Sequence, residues 1–216
     1  MKSIRIYQIL LVVALVIIAI LGTVAAIGNR LSQSAEPAKT ETHSTQTGKW
    51  RKIKPQEIKV NPVKLANGWL ALAAGKKNDM NAMTVGWITI GQIWSDPVAM
   101  VYVSPDRYTF EFMERNDYFT VTAFPEEDRE KLLILGTRSG RDGDKIKDAG
   151  LTVEYTKLGN PTFTNGCLML ECRKIYSQQI DSTLIDKTIR KSFYVDYKQS
   201  VHHLYVGAIE NVWVKE

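Results

Sequence analysis

From Trp69 to Val214 the chain returns again and again to short runs of β-branched and aromatic residues, with few helix signals between them. The runs are Trp69–Gly75, Met83–Ile90, Val98–Ser104, Tyr118–Phe124, Leu151–Thr156, Cys167–Gln179 and Leu204–Val214. Val, Ile, Thr, Tyr, Phe and Trp fit a pleated, half-buried surface, so each run predicts a strand. Two stretches predict helices. Arg107–Asn116 follows Ser104-Pro105-Asp106, a turn and helix-start signal, and Tyr108, Phe112 and Met113 form one apolar face. Glu126–Gly136 follows Pro125, opens on acids and ends at glycine, a charge order that suits the helix dipole. A third, short helix is predicted over Asp144–Gly150. Many strands with few helices predict a mainly β domain, an antiparallel barrel.

The first part of the chain obeys other rules. Ile6–Gly28 holds no charged residue, and as a helix it would reach roughly 34 Å at ~1.5 Å per residue, enough to cross a bilayer core of about 30 Å. Lys2 and Arg5 precede it and favour a cytoplasmic N-terminus. Residues 1–30 read either as an uncleaved signal anchor or as a signal peptide, with Leu10–Leu21 as the apolar core and Thr23–Ala26 as the cleavage region. The continuation of the apolar run past Gly22 favours the anchor. Residues 31–49 are rich in Ser, Thr and Gln and carry almost no apolar bulk, so they predict a flexible linker. Residues 50–216 form the expected domain, delivered to the extracytoplasmic side.

The net charge of +5 is unevenly placed. Residues 1–54 hold eight basic and two acidic side chains; the rest hold 20 and 21. The basic excess therefore belongs to the leader and linker, and charge gives no support to a nucleic-acid partner. Cys167 and Cys172 stand five positions apart on one predicted strand, on opposite faces, which predicts two free apolar thiols rather than a disulfide. Without a CxxC pair, neither a zinc site nor a thioredoxin-type site is indicated.

The densest polar cluster is "GTRSGRDGDKIK", Gly136–Lys147. Its glycines free the backbone, and Arg138, Arg141, Lys145 and Lys147 bring positive charge. Such a loop can hold a phosphate, or it can be a solvated turn between helices. It is neither a Walker loop nor a GxSxG elbow. Arg107, Tyr108 and Thr109 at a helix start offer a second anion site. The alternative is that Thr109 caps the helix and Arg107 pairs with Glu111. His202 and His203 are neighbours on a strand, so only one of them can face a given site. With His43 as the only other histidine, a metal site is not expected.

The stretch "NAMTVGWITIGQIW", Asn81–Trp94, reads as a strand with a polar start and two bare glycines, as though something flat lay against its backbone. Together with "GQIWSDPVAMVYVSPDRYTFEFMERNDYFTV", "LGTRSGRDGDKIKDAGLT", "LECRKIYSQ" and "HHLYVGAIE", it resembles the flavin reductase-like family, near its flavoredoxin branch. The resemblance runs from Asn67 to about Glu210. It implies an FMN-binding split β-barrel of Greek-key type, a homodimer, and flavin near the subunit boundary. Carried onto this sequence, Asn81, Met83, Thr84 and Val85 would line the isoalloxazine ring. Arg107, Tyr108 and Thr109 would hold the ribityl phosphate, and Ser139 and Arg141 would close over it.

The implied activity is electron transfer from NAD(P)H through FMN to free flavin or another acceptor. A membrane-tethered electron carrier that serves a redox partner protein is the alternative. The terminal strand departs from the family pattern, reading "GAI" with Ala208 where Gly-Glu is frequent, although Glu210 is close by. A membrane leader is a second departure, since many relatives are soluble and cytoplasmic.

Overall fold

The computed structural model describes residues 49–215. The expected helix at Ile6–Gly28 and the linker lie outside them. Among the described residues, no helix is long and apolar enough to cross a membrane.

Ten strands are described: β1 (Trp50–Ile53), β2 (Leu70–Lys76), β3 (Asp79–Val85), β4 (Ile88–Ile93), β5 (Asp96–Val103), β6 (Tyr118–Ala123), β7 (Val153–Tyr155), β8 (Pro161–Phe163), β9 (Leu168–Gln179) and β10 (His203–Lys215). Eight of them form one antiparallel sheet in the order β3-β2-β6-β9-β10-β5-β4, with β1 also on β10. β7 and β8 pair separately. The helices are α1 (Pro62–Asn67), α2 (Tyr108–Arg115), α3 (Arg129–Thr137), α4 (Lys145–Asp148) and α5 (Lys187–Arg190), which runs on into a π-helical turn, Lys191–Asp196.

The composition of β2 explains how the layers stack. Every residue from Leu70 to Gly75 is buried, so the strand is covered on both faces. Leu70 and Leu72 point into the barrel with Phe119, Val121, Leu170 and Tyr205. Ala71 and Ala73 point the other way, beneath Leu132 and Leu135 of α3, Ala149 and Phe163. Large side chains fill the barrel, and alanines let the helix approach. A polar seam crosses the buried region. Thr122 and Thr162 share a hydrogen bond of 3.0 Å, and Glu171 accepts from Asn160 and Asn211, each at 2.7 Å, and from Thr156. Asn160 also accepts from Lys76 at 2.6 Å, so it bridges the buried carboxylate to a cation.

Three expectations need correction. The run Met83–Ile90 is two strands, because the chain leaves the sheet at Gly86 and Trp87 before β4 begins. The predicted strand at Leu151–Thr156 is outside the main sheet. Of the two free cysteines, Cys172 is buried, and burial pushes its thiol far up, which keeps it protonated; Cys167 is exposed, just before β9 starts. The short strands β1 and β8 and the helices α1 and α5 carry no strong periodic signal and were not predicted.

Candidate functional site

β3 ends the sheet, so one of its edges has no strand partner. Unpaired backbone groups must find other partners, and two clefts open beside this edge. The wider, about 340 Å³, is lined by Met83, Thr84, Val85, Gly86, Trp87, Tyr102, Ser104, Asp106, Arg107, Gln199 and His202. That volume falls within the usual range for small-molecule sites, about 300–1,000 Å³. The narrower, about 80 Å³, adjoins it and shares Met83, Asp106 and Arg107. Its other walls come from the start of α2 (Tyr108, Thr109), the end of α3 with the loop after it (Gly136, Thr137, Arg138, Ser139), and Lys145.

The narrow cleft gathers Arg107, Arg138 and Lys145 around it, with the Asp106 carboxylate also in its wall. Arg107 is the N-cap residue of α2 and gives no side-chain cap, so the first N–H groups of the helix are left for a ligand. Its guanidinium donates to Gly136 O at 3.0 Å, at the carbonyl end of α3. Lys145 is buried, with Nζ donating to Leu135 O at 3.0 Å and Arg138 O at 3.2 Å, and the third ammonium proton remains for the cleft. Burial, helped by repulsion from Arg107, lowers its pKa to about 8. Two cations that repel each other across a small cavity are stabilised by an anion between them.

The wide cleft has two neighbouring rings in its wall. The Trp87 ring lies 4.4 Å from that of His202 at 32°. The Nδ1 of His202 is buried with no hydrogen-bond partner, an orphaned polar atom beside a cavity. Burial lowers the His202 pKa, Arg107 lowers it further, and the nearby Asp106 carboxylate pulls the other way. His203 faces away, with its ring 4.8 Å from Phe110. His202, just before β10 begins, thus lines the cleft, and His203, the first residue of β10, packs against Phe110.

The structure brings most of the predicted residues to this place. Met83, Thr84, Val85 and Arg107 line the wide cleft; Tyr108, Thr109 and Ser139 line the narrow one, along with Met83 and Arg107 again. Asn81 and Arg141 line neither. Asn81 is buried beneath, donating from Nδ2 to Thr109 Oγ1 at 2.9 Å. Arg141 pairs with Glu111 at 2.6 Å and covers the Tyr108 ring at 4.8 Å. The alternative reading of this region is therefore corrected. Thr109 makes no cap, and Glu111 takes Arg141 as its partner. Lys145 and Arg138 could have been found from the charge of their loop. His202 is the one of the two neighbouring histidines that faces the cleft, while Gln199 comes from a distant segment and gave no usable signal. Among the described residues, no cluster of His, Cys, Asp and Glu could hold a metal ion.

Comparison with known proteins gives this geometry a context. The model of the flavin reductase like domain family matches residues 64–216. Flavoredoxin from Methanosarcina acetivorans superposes with a TM-score of 0.55 at 23% identity, covering 69% of each chain. An FMN-binding domain of a flavin reductases-like enzyme from Shewanella baltica gives 0.56 at 15% identity, covering 78% of each chain. An NADH:FAD oxidoreductase from Streptomyces globisporus, in complex with NAD and FAD fragments, gives 0.51 at 14% identity, covering 67% of this chain and 73% of that one. These likenesses show a shared split-barrel fold. No curated protein sequence matches the chain.

Proposed function

Because the chain belongs to the flavin reductase-like domain family, we propose that its two adjoining clefts hold FMN, phosphate in the narrow one and isoalloxazine in the wide one. The observation that carries this is the shared boundary at Met83, Asp106 and Arg107: a pocket lined by cations adjoins a larger cavity beside an unpaired strand edge. The residues fit the group. Arg107, Lys145, the first N–H groups of α2 and the Thr109 and Ser139 hydroxyls suit a phosphate dianion. The free edge of β3 at Met83, Thr84 and Val85 suits the polar rim of the ring, and Asn81 braces Thr109 from below. Arg141 would close the phosphate side by holding Tyr108 in place.

When bound, FMN supplies the redox chemistry, accepting electrons from a donor and passing them to an acceptor. The protein's part is to bind, to orient and to exclude water, and no catalytic acid or base is assigned. The activity we favour is electron transfer from NAD(P)H to free flavin or another acceptor. A second reading, a membrane-tethered carrier that draws electrons from a redox partner protein, is favoured by the uncharged run Ile6–Gly28 and the linker after it, which would hold the domain at the extracytoplasmic face, away from the cytoplasmic NADH pool. We further propose a homodimer. Its support is the family's habit and an exposed aromatic patch where Trp94 and Tyr176 meet, ring centroids 6.2 Å apart. No nucleic-acid partner is proposed.

The test is direct. Protein isolated without denaturation and supplied with FMN should show the visible absorption of bound flavin and quench flavin fluorescence. A protein that stays colourless and leaves FMN fluorescence untouched overturns the assignment. Stopped-flow mixing with NADH and NADPH then separates enzyme from carrier: rapid bleaching favours the enzyme, and no bleaching the carrier.

A further inference from the structure

The connection between β9 and β10 is far longer than the two strands require. Gln179 pairs with His203, which leaves residues 180–202, 23 in all, between strand ends that already lie side by side. Hairpin loops usually need about 2–5 residues, and loops much beyond about 12–15 tend to be functional. None of residues 181–200 is buried. Their organisation is internal: Asp186 caps α5 through Thr188 N at 2.9 Å and Ile189 N at 3.2 Å, and Lys191 pairs with Asp196 at 2.8 Å. A segment with so little buried surface opens at low cost unless something fastens it.

Two fastenings are visible, and both belong to the wide cleft. Ser200 donates to the Asp106 carboxylate twice, from Oγ at 2.6 Å and from N at 3.1 Å. Ser104 Oγ lies 3.1 Å from the same carboxylate, and together these hydrogen bonds hold the Asp106 carboxyl below the usual range, so it stays ionised. The second fastening is Trp87. Its ring sits between His202, at 4.4 Å, and Phe193, at 5.5 Å and edge-on. Lys198, at φ 51°, bends the chain sharply just before Gln199, which joins His202 in the cleft wall. The segment therefore roofs the cleft, seated on one aromatic ring and held by one carboxylate.

We propose that residues 180–202 are a cap that opens and closes over the wide cleft, that the Ser200–Asp106 hydrogen bonds are its latch, and that a flavin ring enters and leaves only when the latch is undone. The inference rests on the flavin reading of the site. Asp106 stands next to Arg107 on the same turn, so the residue that fastens the cap also borders the anion pocket. A loosened latch raises the open fraction, and with it the rates of entry and exit.

The experiment uses the full-length protein, FMN as probe, and the exposed latch position, comparing wild type with Ser200→Ala and with Ser200→Asp, which sets a like charge against Asp106. Stopped-flow association and displacement are measured, together with hydrogen exchange over residues 182–198 in flavin-free protein. The expected result is that both rate constants and the exchange rise by about ten- to a hundredfold in Ser200→Ala, the scale of one hydrogen bond to a charged acceptor, and by more in Ser200→Asp. If wild type binds FMN and both variants exchange and bind at its rates, the segment is a fixed wall and the cap is refuted. If wild type binds no FMN, the flavin reading fails. The exchange arm then still decides on the latch: faster exchange in the variants supports it, and unchanged exchange refutes it.

Discussion

Gly140 lies against Asn81 so closely that a Cβ at position 140 would come within 2.4 Å of Asn81 Oδ1 and 3.0 Å of Tyr108 Cδ1. Gly136 stands in the same relation to Thr84, whose Cβ would be 2.9 Å from an added Cβ. The glycines of this loop thus let it press onto β3 and the start of α2. Gly140→Ala should push Asn81 off Thr109 and reshape the narrow cleft, costing about 1–3 kcal/mol of stability by overpacking. Urea denaturation gives that loss. FMN titration should show weaker binding, and an affinity equal to wild type would mean that the loop yields without disturbing the cleft.

Arg107→Ala should weaken FMN binding by roughly ten- to a hundredfold, since a charge-assisted hydrogen bond contributes about 1.5–3 kcal/mol. Thermal stability should change little, because the one hydrogen bond shown for the guanidinium, to Gly136 O, is exposed. Fluorescence titration beside a melting curve checks both. Unchanged affinity would shift the anion's main partner to Lys145.

Lys145 predicts two pH effects of opposite sign. Its pKa is lowered to about 8 in the folded protein, so its charge leaves the cleft as pH rises through that value, and affinity for FMN should fall there. Between about 8 and the ordinary lysine value of about 10.4, the unfolded chain binds more protons than the folded one, so flavin-free protein should gain stability with rising pH. Lys145→Met should flatten both profiles. Measuring affinity and denaturation midpoint from pH 7 to 10 tests the pair.

The β4–β5 hairpin turns at Trp94 and Ser95, both at positive φ, 51° and 67°. Two-residue turns of this kind favour Asn-Gly, and a bulky side chain there is strained. The double change Trp94→Asn with Ser95→Gly should therefore stabilise the monomer by about 1 kcal/mol, read from the melting temperature. If Trp94 also packs against a second copy, the same variant should shift the protein towards monomer in sedimentation.

The domain should stand on the extracytoplasmic side, held by residues 6–28. If residues 31–49 form the expected linker, it would span about 20–25 Å on average, which would keep the domain near the membrane. Protease treatment of spheroplasts carrying a C-terminal tag decides the matter. A tag protected until the membrane is broken would place the domain in the cytoplasm and favour the NAD(P)H-dependent activity.

Much of the fold could be read from local pattern. The runs at Asp96–Val103 and Tyr118–Ala123 carry enough β-formers to declare a strand alone, whereas Leu70–Lys76 and Leu168–Gln179 are short of them and are marked as strands by their apolar stretches. The start of α2 and the cationic loop after α3 were likewise visible, because caps, charge order and glycines act over a few residues. The division of Asn81–Trp94 into β3 and β4 was not, since the break at Gly86-Trp87 has no Pro, Asn or Asp to mark it and the hairpin tip is Trp-Ser. β1 gains its structure from β10, more than 150 positions away. The outer half of the site was hidden for the same reason. Gln199, His202 and the Ser200–Asp106 contact join segments 94 positions apart, and no local signal records which distant loop will fold over a cleft.

β10 has partners along both of its edges: β9 on one side, and β5 followed by β1 on the other. Take it away and the sheet falls into β3-β2-β6-β9, the β4–β5 hairpin, and a stray β1. Among the ten described strands it is also the last to leave the ribosome. Until β10 emerges, the nascent chain therefore carries two incomplete half-sheets with unpaired edges. Such a chain depends in the meantime on whatever shields open strand edges.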